Sequence, residues 1–230
     1  MAAQNNRMSA ERNKVTEAIL SRRSVRAFLP RPVRLSLIEE MLEVAARAPS
    51  GGNLQPWRVD VLTGAPLAAF VAEARTSTPG EMELNVYPSP LPEPYRTRRY
   101  RSGEALYEAI GIGREDRPAR LARFARNFEA FGAPVLLLFS LDRIFDRPQW
   151  AHLGMFIQNL MLLAQERGLA TCPQEAWAAV HDVAARHVGL PAERILYCGM
   201  ALGYADPEAP INRLRTEREG VEAFARFRGF

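Results

Sequence analysis

Residues 150–167 constrain the fold more than any other stretch of this chain. Leu153, Met155, Phe156, Ile157, Leu160, Met161, Leu162 and Leu163 put apolar side chains around nearly the whole circumference of a helix. Such a helix has to be covered by protein on all sides. A chain of 230 residues, 47% of them apolar, can bury one sizeable core, and a dimer interface is a further cover. Gln158 and Asn159 interrupt the apolar run, so it does not read as a membrane span.

Other elements are arranged around this helix. Residues 134–141 and 194–202 are apolar runs of strand length, the first expected to be buried on both faces and the second ending at Gly203. Residues 57–62 have the β-branched content of a strand. A short helix is expected around Val15, Ala18 and Ile19, halted by the basic run at 21–26. A second helix carries Ile38, Leu42, Ala45 and Ala46 behind an apparent Ser36–Glu39 capping box and stops before Pro49. Helical patterning returns over 115–131 and again over 174–188. Pro79, Pro88, Pro90, Pro92 and Pro94 exclude regular structure from most of 77–94, which reads as an excursion or lid extending to about residue 114. Beyond Glu217, Val221, Phe224 and Phe227 recur at roughly helical spacing, a stripe expected to dock on the body or on a partner chain. The expected organisation is a flexible arm over 1–14 and one domain over 15–230.

Cys172 and Cys198 are too few for a disulfide framework, and the polar start of the chain lacks the apolar run of a signal peptide. Both observations point to a soluble protein of a reducing cytoplasm. The formal charge is +4, and of the 30 basic residues all but Lys14 are arginine. Arginine suits planar anions such as phosphate and carboxylate, although a GC-rich genome produces the same bias.

Side chains suited to catalysis are scarce. His152, His181 and His187 read as structural, and no Cys/His spacing matches a metal site. Cys172, followed by Pro173, is either a nucleophile or, more simply, a buried small hydrophobe. Gly111 and Gly113 lack both the third glycine and the preceding strand of a dinucleotide fingerprint. If the protein is an enzyme, a cofactor carries the reaction.

Three segments offer a place for one. Arg22, Arg23, Ser24 and Arg26 assemble three guanidinium groups and a hydroxyl within five residues. Taken alone, they could equally be solvated charges complementing a helix end. Arg213 and Arg215 could reach the same anion only through the fold. Residues 49–57 combine Gly51 and Gly52, which allow close backbone approach, with the amides of Asn53 and Gln55.

Four motifs in this order resemble the nitroreductase family: Ser-Arg-Arg-Ser-Val-Arg-Ala-Phe at 21–28, Ala-Pro-Ser-Gly-Gly-Asn-Leu-Gln-Pro-Trp at 48–57, Gly-Leu-Ala-Thr-Cys-Pro-Gln-Glu-Ala at 168–176 and Asn-Arg-Leu-Arg-Thr-Glu-Arg at 212–218. The stretch 84–92 is similar to a subgroup associated with nitrobenzoate reduction. The resemblance implies an α+β fold, a central, mostly antiparallel sheet wrapped by helices, and an intertwined homodimer with FMN at the subunit interface. It further implies that Arg22, Ser24, Arg215 and Arg213 hold the FMN phosphate, with Arg23 and Arg26 close to the phosphate, ribityl chain or pyrimidine edge. Ser50, Gly51 and Asn53 would approach from the other subunit, and the backbone at Pro173, Gln174 and Glu175 would face flavin N5. Ala176 stands where many relatives have glycine. The implied reaction is a ping-pong exchange in which NADH or NADPH gives hydride to the flavin and a nitroaromatic or similar electron-poor small molecule takes it up.

Quinone reduction, free-flavin reduction and reductive dehalogenation use the same scaffold and are not separated by these motifs. A cofactor-free module binding an acidic partner or nucleic acid is the reading from another class. The arginine clusters lack the interleaved aromatics of a single-strand binder, so neither nucleic acid nor a membrane is an expected partner.

Overall fold

A computed structural model describes residues 14–230 apart from 79, 81, 82 and 85. The expected arm over 1–14 therefore lies, Lys14 excepted, outside the described residues. Four strands, β1 (Arg58–Thr63), β2 (Val135–Asp142), β3 (Ala170–Gln174) and β4 (Arg194–Gly203), form a sheet of order β1-β2-β4-β3. All three pairings are antiparallel. β2 is buried along its length because helices cover both faces of the sheet. Its Leu136 and Leu138 meet Phe70 and Trp177 on one side, while Val135, Leu137, Phe139 and Leu141 meet Met41, Phe156 and Leu160 on the other. Each such leucine contributes roughly 1.5–3 kcal/mol by leaving water.

One face is covered by α2 (Leu35–Ala45) and α6 (Arg147–Glu166), with α1 (Lys14–Ser21) packed against α6. The other carries α3 (Gly64–Thr76) and α7 (His181–Val188). Glu73 of α3 ties that pair together through Arg186 at 2.5 Å and His187 at 2.8 Å. Two further helices, α4 (Tyr95–Glu108) and α5 (Arg117–Ala125), lie outside the core and bury no residue.

Several expectations change in the folded chain. The Ser36–Glu39 capping box does not form: α2 begins one residue before Ser36, Arg34 is its N-cap, and no side chain caps it. The motif lies inside the first turn, where the backbone already has helical geometry. Over 174–188 a strand end and a 3-10 segment, Glu175–Val180, precede α7. The apolar spacing was compatible with helix, but Gln174 pairs with Gly199 in the sheet. The excursion without helix or strand ends at Pro94, and α4 follows directly. β3 escaped notice because it contains Pro173, which an edge strand accommodates when the missing N–H faces away from its neighbour. The C-terminal stripe forms a 3-10 turn, Val221–Ala223, and does not dock on this chain: Phe224 and Phe227 are 75% and 68% exposed. Among the described residues, only one side of α6 is covered, with Met155 exposed opposite Phe156 and Leu160.

Candidate functional site

The site begins where α1 ends. Ser21 Oγ donates to the Glu17 carbonyl at 2.6 Å, closing the last turn. The chain then runs extended along β3, with a parallel bridge between Ser24 and Thr171 and the Val25 N–H donating to the Thr171 carbonyl at 3.0 Å. Phe28 bridges Ala205 just past β4. This fixes Arg22, Arg23, Ser24 and Arg26 along the outer edge of the sheet.

Asn212 brings the other end of the polypeptide to the same place. It is 2% exposed. Its Oδ1 accepts from the Arg26 N–H at 2.9 Å, and its Nδ2 donates to the carbonyls of Ala27 at 2.8 Å and Asp206 at 2.9 Å. Arg213 and Arg215 leave this clamp exposed. Burial lowers the Arg23 guanidinium from its usual value, and Arg215 lowers it further; Arg22 is lowered by burial and then by Arg218. Arg123 of α5 joins from a third direction, donating to the Arg26 carbonyl at 3.2 Å. Burial lowers it too, with Arg126 and Arg26 adding to the effect.

Cys172 sits among these cations. Burial pushes its thiol up to about 11 despite the opposing influence of Arg26, Arg123 and Arg22. It is therefore a buried neutral thiol and no nucleophile at ordinary pH. Among the described residues, none of Arg22, Arg23, Arg26, Arg123, Arg213, Arg215 and Arg218 has a carboxylate partner, and Arg23 Nε is buried without any hydrogen-bond acceptor. A buried donor left this way costs about 1–3 kcal/mol, so the arrangement suits a bound anion.

β3 leads from this cluster into a second feature. Pro173 is exposed between buried Cys172 and Gln174. The Gln174 side chain is committed to the fold: Nε2 donates to the Asn127 carbonyl at 2.8 Å, and Oε1 accepts from Trp177 Nε1 at 3.2 Å. Only its backbone is free to face a ligand. Glu175 opens onto a cavity of about 240 Å³ lined also by Leu84, Val86, Trp150 and Tyr197. Burial pushes its carboxyl above the ordinary range.

Ser50, Gly51 and Asn53 are placed elsewhere, against the start of α6. The Gly51 N–H donates to His152 Nε2 at 3.3 Å, and Ser50 Oγ accepts from the Gln55 N–H at 3.0 Å. Gly52 and Asn53 are left-handed, at φ 59° and 55°, a conformation that glycine and asparagine tolerate best. Among the described residues, no hydrogen bond joins this loop to the arginine cluster. His152 thus holds this loop, while His181 lies beside Asp182 and His187 contacts Glu73.

Sequence reasoning missed three contributors as site residues: Asn212, Arg123 and Arg218. Asn212 and Arg218 lie within the fourth motif, whereas Arg123 is one of several arginines on α5 and nothing local separates it from Arg120, which pairs with Glu104.

Residues 19–204 match the family described as Nitroreductase family. The chain is 40% identical over 215 residues to a 4-nitrobenzoate reductase of Pseudomonas putida, covering 92% of this chain and 94% of the relative. It is 37% identical to a chloronitrobenzene nitroreductase of Comamonas testosteroni, covering 93% and 96%. Among solved structures, an FMN and NADPH-dependent nitroreductase, NfnB from sphigopyxis sp. strain HMH, superposes with a TM-score of 0.89 at 44% identity, covering 94% of this chain and 99% of that one. The chain belongs to the nitroreductase family. Among the described residues no helix is long and apolar enough to cross a membrane.

Proposed function

We propose that this protein is an FMN-dependent NAD(P)H oxidoreductase that reduces nitroaromatic compounds in the cytoplasm. The observation that carries the proposal is the convergence of six guanidinium groups, those of Arg22, Arg23, Arg26, Arg123, Arg215 and Arg218, none paired with a carboxylate among the described residues, on the segment beside β3. Arg23 Nε, buried and without an acceptor, fits the phosphate of FMN. Bound there, FMN would supply hydride exchange between a nicotinamide and the acceptor. In this reading Arg22, Ser24, Arg213 and Arg215 hold the phosphate, Arg23 and Arg26 lie beside it or toward the ring, and the backbone at Pro173, Gln174 and Glu175 faces the flavin. Asn212 holds the two ends of the chain in register so that their charges meet at one place.

The protein acts as a homodimer in this proposal. Support comes from the uncovered side of α6, the undocked Phe224 and Phe227, and the separation of Ser50, Gly51 and Asn53 from the arginines of their own chain. A second copy would bring that loop to the site and cover the apolar surface. The excursion at about 77–114 would border the acceptor, since Leu84 and Val86 already line the cavity at Glu175.

The test is direct. Purified protein is expected to show the absorption of an oxidised flavin, to release FMN on heating and to oxidise NADPH or NADH faster when a nitroaromatic is added. Colourless protein that takes up no added FMN would refute the proposal. Turnover of 4-nitrobenzoate against uncharged nitrobenzene then shows whether Arg99, stacked 4.4 Å from the Tyr87 ring centroid, and its neighbours favour a carboxylated acceptor.

A further inference from the structure

We propose that Glu175 donates the proton that releases oxygen from the nitro group, acting from the wall of the cavity it shares with Trp150 and Tyr197. The inference rests on the nitroaromatic reading above. The cavity, about 240 Å³, is smaller than the roughly 300–1,000 Å³ of most ligand sites and suits no more than a single aromatic ring. Trp150 stands edge-on to Tyr197 with ring centroids 5.5 Å apart, which fixes two walls, and Leu84 and Val86 supply aliphatic surface.

Among the described residues, Glu175 is the only carboxyl in this lining. Among the described residues it has no hydrogen-bond or ion-pair partner. That sets it apart from Glu83 and Glu104, both held low by hydrogen bonds from arginine. Burial alone shifts Glu175, and it shifts it up. The titratable groups that sense it are on β4: Tyr197, pushed up to about 12 first by burial, and Cys198, pushed up mainly by burial. Neither gives a proton readily near neutrality, so among the described side chains of this lining Glu175 is the one suited to do so. An aromatic acceptor entering the cavity expels water and favours the protonated carboxyl further. Glu175 is three residues beyond Cys172, roughly 10 Å along an extended chain, so a ligand anchored among the arginines can present its reactive part here.

The step balances. Hydride from NAD(P)H reaches the nitro group, one N–O bond breaks, and the oxygen leaves as water after taking up protons. Glu175 gives one of these and is reprotonated from solvent, so one proton is consumed for each NAD(P)H oxidised as nitro becomes nitroso.

The test compares wild type with Glu175→Gln on a nitroaromatic and on ferricyanide, which takes electrons without protons. Nitroaromatic turnover is expected to fall on the order of 10²–10⁴-fold more than ferricyanide reduction, which takes up no proton. Glu175→Asp should restore part of the loss and keep a rate that declines as pH rises through the carboxyl's titration. Equal loss on both acceptors, or no loss on either, overturns the proposal. Independently of turnover, an isotope-labelled Glu175 carboxyl should titrate above the usual glutamate range in the protein as purified, and an ordinary titration overturns it. A wild-type protein that reduces ferricyanide but no nitroaromatic would instead remove the function on which the inference rests.

Discussion

Arginine does two different things in two regions of this molecule. At several points on α4, α5 and the outer helices it is paired: Arg98 with Glu219 at 2.8 Å, Arg120 with Glu104 at 2.7 Å and Arg167 with Glu40 at 2.5 Å. Beside β3 it is unpaired, and Arg22, Arg23, Arg26 and Arg123 are crowded together and partly withdrawn from water. Paired arginines at the surface help hold helices that bury nothing, at small gain each. Converging unpaired ones oppose the fold until an anion joins them. Arginine is abundant in both regions, and its pairing is what distinguishes them.

Replacing Arg22 and Arg215 together by alanine should give the largest effect. If both contact the phosphate, each removes a charge-assisted interaction of about 1.5–3 kcal/mol. FMN retention measured by equilibrium dialysis should fall accordingly, and more steeply at raised ionic strength, with little change in unfolding of the flavin-free chain. Retention equal to wild type would erase the distinction between the two regions. Asn212→Ala comes next. It orphans the Arg26 N–H and leaves the Ala27 and Asp206 carbonyls without this donor, costing about 1–3 kcal/mol in denaturant unfolding. Because the clamp sets where Arg213 and Arg215 emerge, FMN binding should weaken as well; a loss of stability with unaltered FMN affinity would show that the clamp does not position the cluster. Glu40→Gln should be the mildest, at most about 1 kcal/mol as expected for an exposed pair, and without consequence for FMN. An effect on FMN as large as that of the arginine pair would mean that paired surface arginines also serve the site.

Much of the scaffold was legible because hydrophobic patterning is local. The apolar runs at 134–141 and 194–202 are the central strands, and 150–167 is the long helix with one side still bare. Less was legible where tertiary contact overrides a local signal. Ser36 and Glu39 have capping-box spacing, yet α2 starts earlier. No strand was expected at 170–174, where β3 carries Pro173 at the edge of the sheet. In α4 the mixture of arginine, tyrosine and glutamate carries no apolar stripe, so its helix is stabilised by ion pairs and ring contacts that the sequence does not announce.

By itself the sequence determined the building elements and the residue types available for an anion, because backbone propensity and side-chain chemistry are properties of short segments. The tertiary structure alone decided which arginines are left without a carboxylate, that Asn212 ties residue 26 to the far end of the chain, and that Glu175 faces an apolar cavity. Those facts depend on distances between segments nearly two hundred residues apart, and such distances exist only once the sheet has closed over its core.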